Sequence, residues 1–278
     1  MATIPTESRI FADRYLREML RREALHADRI SPGTKTWRDA LPALYARMRQ
    51  SGSPTRQAAT LRKAITYLTS VKLGDCAHTT IGHTGASRSA FLTFATFSAG
   101  QHPLIGVDEE GINIVQHFVS CERGGSAKLI SDLNLAYISK HAIGRLHERE
   151  LDLTNDGATG AFAFIGMLGY LTRDSEKHIA GELCQHFGDT LVVGSLKHAP
   201  KEADDGREFN GTFYDVRTAL PADEVSNQDM LEQGRVASHV VAAWFADPPD
   251  DDRTLADQIP FLPRRADDYT MRSAVVRH

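Results

Sequence analysis

Tyr137-Ile-Ser-Lys-His-Ala-Ile-Gly-Arg-Leu-His-Glu-Arg-Glu150 carries the chain from the end of an apolar run into its most chemically loaded segment. The run, residues 128–138, reads as a strand. Ser139 then has the chemistry of a helix N-cap, whose side-chain oxygen accepts a backbone N–H left unpaired in the first turn. The helix is expected to end before Leu151-Asp152. At about 100° per residue, His141, Arg145, Glu148 and Arg149 share one face, while Ala142, Ile143 and Leu146 share another that anchors the helix to a core.

Working upstream, the periodicity between Gly74 and residue 138 is that of strands. Ala90–Ser98, Leu104–Val107 and Ile112–Cys121 are the expected strands, and Asp108-Glu-Glu-Gly111 is expected to be a hairpin turn with glycine at positive φ. Residues 6–73 read as helical. Phe11, Tyr15, Leu16, Met19 and Leu20 form one apolar stripe. Trp37, Leu41, Leu44, Tyr45 and Met48 form a second, with Pro42 in a first turn or at a kink. Ser53-Pro54 opens a third helix that Gly74 stops.

Downstream, Ala158–Leu171 and Ser175–His186 are expected to be helical. Thr190–Leu196 and Thr212–Ala219 read as a second strand pair joined by the polar loop Pro200–Glu208. Residues 223–246 read as a helix, and Asp247–Arg253 as an acidic linker to a tail. Hairpin strands with helices segregated around them indicate an α+β fold: N-terminal helices, then an antiparallel sheet packed with helices. The expected divisions are 1–75, 76–247 and 248–278.

A chain of 278 residues with 41% hydrophobic and 24% charged residues has enough apolar surface for a sizeable core. Its net charge of −4 supplies no global field toward nucleic acid, so any such binding has to come from a local patch. The three cysteines, Cys76, Cys121 and Cys184, form no CxxC pair, which fits a reducing compartment. The N-terminus shows no secretory signal pattern, and Ala158–Leu171 is shorter than the about 20 residues a bilayer span needs. A cytoplasmic protein without membrane contact is therefore expected. No GxSxG, HExxH or strand-borne GxGxxG occurs, and Gly82-His-Thr-Gly85 lacks the Lys-Ser/Thr of a phosphate loop. Cys76 and His78 with His83 are too loosely spaced for a structural zinc site. Neither metal nor cofactor is expected.

Histidine supplies an acid–base group near neutral pH, and arginine holds phosphate through bidentate contacts. A strand followed by Ser-Lys-His-Ala-x-x-Arg-x-x-x-Arg, residues 139–149, resembles the start of small toxin ribonucleases of the BrnT type and their relatives with the RelE fold. That resemblance implies a helix packed on an antiparallel sheet and a metal-independent RNA-cleaving site, with His141, Arg145 and Arg149 carried over. On Thr212–Thr218, alternation places Phe213, Asp215 and Arg217 on one face and Tyr214 on the other. Arg217, with Lys197 and His198 from the preceding strand, is the expected complement to the helix. His141, Arg145 and Arg217 are thus the candidate catalytic residues, with Arg149, Lys197 and His198 for binding. Arg21-Arg-Glu-Ala-Leu-His26 has the R-x4-H spacing of HEPN ribonucleases but lies on an amphipathic helix of common residues. The expected partner is RNA or another phosphate-bearing ligand. The rival is a non-catalytic regulator that docks a protein through its N-terminal helices. A small-molecule enzyme, with the glycine-rich helix lining a pocket, is a third class.

Overall fold

The structure, a computed structural model, describes residues 5–36, 39–40, 42–43, 46, 79–84, 89–121, 127–149, 153, 155–172, 182–198, 201–202, 208–209 and 212–246. The junction read from the sequence is present. Strand β4 (Ala127–Ser139) passes directly into helix α2 (Lys140–Glu148), and the Ser139 side chain accepts the Ala142 N–H at 3.1 Å. Around β4 lies a seven-stranded sheet in the order β1-β2-β3-β4-β9-β6-β5. Strands β1 (Thr79–Thr84), β2 (Ser89–Gln101) and β3 (Glu110–Cys121) meander antiparallel up to β4. On its other side β9 (Thr212–Pro221) runs parallel to β4, followed by antiparallel β6 (Thr190–His198) and β5 (Leu183–Phe187). Two-residue strands β7 (Lys201–Glu202) and β8 (Glu208–Phe209) pair separately. The fold is α+β.

The sheet is mixed where hairpins alone were expected. After β4 the chain forms α2 and α3 (Asn155–Thr172), then returns through the β5–β6 hairpin, so β9 reaches β4 in the same direction. That hairpin corrects the helix expected over 175–186. Residues 183–187 are strand, with Leu183 and Cys184 buried on opposite sides in separate apolar clusters. Alternation over five residues is too short to stand out from a helical pattern. Residues 173–181 lie outside the described residues.

The turn between β2 and β3 also differs. Leu104–Val107 is not a strand. It is a tight turn closed by Val107 N–H to the Leu104 carbonyl, with Gly106 at φ 85°, the third position of a type II turn. Gly111 lies inside β3 instead, where a Cβ would strike the Ile138 carbonyl and the Tyr137 ring. Its glycine serves close approach between strands, not a turn.

Helices α1 (Thr6–Ile30), α2, α3 and α4 (Gln228–Ala246) all feed one apolar cluster. Ala12, Leu16 and Met19 meet Ala142, Ile143 and Leu146 of α2, Phe162, Ile165 and Leu168 of α3, and Val240 and Val241 of α4 over the sheet. Phe11 lies flat on the His147 ring at 3.6 Å, and Lys140 pairs with Asp13, tying α1 to α2. Leu20, expected in the stripe, is 48% exposed because it lies one residue beyond Met19, rotated about 100° off the buried line. Of the second N-terminal helix, residues 39, 40, 42, 43 and 46 are helical, with the Thr36 hydroxyl accepting the Asp39 N–H. The third helix, from Ser53-Pro54 to Gly74, lies outside the described residues, as do the boundary at 75 and the linker and tail beyond 246. No helix among the described residues is long and apolar enough to cross a membrane.

Helix α3 shows why its glycines differ in kind. A Cβ at Gly169 would overlap the Leu135 backbone of β4, and one at Gly166 would stand 2.9 Å from Ile114 Cγ2, whereas Gly160 faces open space. Gly169→Ala is therefore expected to destabilise by about 2–3 kcal/mol through forced separation of α3 from the sheet. Gly160→Ala should stabilise by about 0.5–1 kcal/mol, the helix-propensity gain. Urea denaturation midpoints of the two variants check both signs.

Candidate functional site

Parallel pairing of Ile138 with Val216 brings the middle of β9 beside the end of β4, where α2 begins. Ser139 Oγ donates to the Arg217 carbonyl at 3.3 Å while accepting the Ala142 N–H, so one hydroxyl ties both elements. The β2–β3 loop, His102–Glu109, closes over this end of the sheet. The Glu109 carbonyl accepts from the His102 N–H and the Tyr137 hydroxyl, both at 2.9 Å. This fixes the main chain of Glu109 and brings its carboxylate within 2.7 Å of Arg217 Nη1.

Beneath that pair lies a wholly buried carboxylate. Asp215 shares a sheet face with Arg217, as the alternation places it, and Arg217 Nη2 approaches Asp215 Oδ2 at 2.5 Å. His102 Nε2 stands 3.5 Å from Oδ1. Neither contact is a well-directed hydrogen bond. Because the Leu104 N–H donates to His102 Nδ1 at 3.1 Å, that nitrogen is an acceptor, and the neutral ring carries its proton on Nε2, toward Asp215. Tyr137 and Phe213 pack edgewise on the imidazole. Burial raises the Asp215 carboxyl above its ordinary value, outweighing the opposing pull of Arg217 and His102.

On α2 the expected face is present. His141 is half-buried, and its titration is lowered first by burial and then by Arg145, against the opposing charges of Glu148 and Glu109. Arg145 donates to Glu148 at 2.7 Å, with both side chains only 14% exposed. Arg149 is the C-cap residue, its Nε buried without a hydrogen-bond partner among the described residues. Glu109 pairs with Arg217, and its charge also opposes, weakly, the lowering of the His141 titration.

Lys197 and His198 do not join them. Lys197 pairs with Phe213 and His198 with Thr212, at the start of β9, whereas Arg217 lies in its middle. Phe213 and Arg217 are four residue steps apart along the strand, about 13 Å. Neighbouring strands had suggested proximity, but the antiparallel register carries these two residues away from the site. Arg21 is engaged by Glu18, while His26 lies about 140° around α1 and is half-buried, so the R-x4-H pair does not converge. Cys76 and His78 lie outside the described residues.

His102, Glu109 and Tyr137 escape the sequence reading. Glu109 lies in the segment that reads as a turn, His102 just before the segment that reads as a strand, and Tyr137 in the apolar run 128–138, so their meeting depends on contacts between residues far apart in sequence. Asp215 was legible as a face-mate of Arg217 but not as its ion-pair partner. The chain matches no known protein family and none of the curated proteins compared with it.

Two outcomes follow from this geometry. Removing the guanidinium with Arg217→Ala leaves Asp215 buried beside His102 alone and is expected to cost about 2–3 kcal/mol, below the full cost of breaking a buried pair because Arg217 is part-exposed. Thermal and urea unfolding measure it. For His141, the folded state binds a proton less readily than the unfolded chain, so stability should fall as pH drops below 6.5. His141→Gln should flatten part of that slope in melts across the same range; an unchanged slope would contradict the assignment.

Proposed function

We propose that this chain binds RNA or another phosphate-bearing ligand at the junction of β9 and α2, and acts there as a metal-independent ribonuclease. The observation that supports the reading is that Glu109, a carboxylate held on the part-exposed side of Arg217, also contributes its charge at the half-buried His141. An imidazole with lowered titration is unprotonated at neutral pH and able to accept a proton. It would take the proton of an RNA 2′-hydroxyl as that oxygen attacks the adjacent phosphorus. Arg217 would hold the charge developing on the phosphorane oxygens, and the 5′-oxygen would leave with a proton from water. The resemblance of residues 139–149 to toxin ribonucleases agrees with this chemistry. A cytoplasmic setting belongs to the same reading and is supported by three cysteines without paired spacing.

One observation favours a second reading, a non-catalytic regulator with a protein partner. Arg145 and Arg217 already carry intramolecular carboxylates, so neither offers an unengaged charge. Exposed Ile10, Leu20 and Leu25 on α1 add apolar surface of the kind a partner covers.

Titrating labelled single-stranded RNA at increasing salt separates the two. With Lys197 remote, about two phosphate contacts are expected, giving a slope of about −1.4 in log K against log salt. His141→Ala should abolish cleavage while leaving this slope nearly unchanged. Absence of binding at low salt removes the RNA reading and leaves the regulator.

A further inference from the structure

Arg217 holds two carboxylates of different character. Asp215 is wholly buried and cannot reach solvent without unpacking β9. Glu109 is 30% exposed, facing an arginine that is 41% exposed. Its main chain is fixed through its carbonyl by Tyr137 and His102, so the side chain can turn outward with no change in the backbone. A carboxylate on a guanidinium occupies the same donors that a phosphate would use.

We infer that Glu109 is an internal competitor for the anion position of Arg217, and that a phosphate anion enters only by displacing its side chain. This rests on the phosphate-ligand reading above and extends it. The residue that sets affinity is a carboxylate opposing the ligand, beyond the cations attracting it. Binding is then an exchange of one anion for another on a fixed guanidinium, and the arginine needs no rearrangement. Asp215 stays in place throughout and keeps the guanidinium aimed at the loop.

The test uses the full chain, unaltered and as Glu109→Gln and Glu109→Ala, titrated at low salt with inorganic phosphate and separately with labelled single-stranded RNA. Both variants should bind about fivefold more tightly, as expected for release of a half-exposed ion pair. Movement of the Arg217 Nε–H resonance on adding phosphate to the unaltered chain locates the ligand without any substitution. A gain for phosphate but not RNA supports the anion position and removes RNA as its source. Binding by the unaltered chain that neither variant improves overturns the role of Glu109 and leaves the phosphate reading standing. No binding of either probe to any of the three chains overturns both.

Discussion

A single carboxylate withdrawn from water organises this end of the molecule. Leaving Asp215 charged without partners would cost several kcal/mol, so the surrounding structure has to supply cationic and polar neighbours. Arg217 comes two residues along the same strand face, and His102 comes from the start of the β2–β3 loop. The loop therefore cannot leave the sheet without uncovering Asp215, and its far end delivers Glu109 to the other side of the guanidinium. Tyr137 completes the arrangement by donating from β4 to the Glu109 carbonyl. Strand and loop meet around one buried charge, and Ser139 ties the start of the helix to the same strand.

The parts legible in the sequence were those whose causes are local. Ser139 reads as a cap because the need it meets lies three residues ahead, and Ala142, Ile143 and Leu146 read as a buried face because the helical period alone groups them. The alternation of β9 correctly placed Phe213, Asp215 and Arg217 together. What stayed hidden depends on pairing over distance. Arg217 and Glu109 lie 108 residues apart, and no spacing rule joins them. The same limit misplaced Lys197 and His198. Adjacent strands suggested contact, whereas the register that separates them is set by the β6–β9 pairing and its irregularity at Val193/Gly194. Gly111 shows a subtler case. A glycine after acidic residues reads as a turn, yet here it answers to the backbone of β4 across the sheet.

Pre-organisation and neutralisation compete in such a site. The contacts that aim Arg217 also quench it, and the short Arg145–Glu148 pair does the same on α2. An arginine held by a buried aspartate loses little conformational freedom when a ligand arrives, which favours specificity. The second carboxylate subtracts from that gain. In the proposed reading, the balance between them, and not the number of arginines on the helix, would decide whether an anion is retained.

Charge counting sharpens the point. Counted by formal charge, the side chains of Arg145, Arg149 and Arg217 are balanced by those of Glu109, Glu148 and Asp215, within a chain of net charge −4. A balanced cluster projects little field beyond a Debye length of about 8 Å in physiological salt. It cannot gather a polyanion from a distance as a basic groove does, and association would proceed without electrostatic steering. If the site binds an anion as proposed, recognition would be a contact event, in which a ligand already placed by shape exchanges with a carboxylate at the guanidinium. In the proposed reading the same condition would apply to His141: an imidazole can act only on a group brought within hydrogen-bonding reach, and a balanced cluster does not do that positioning for it.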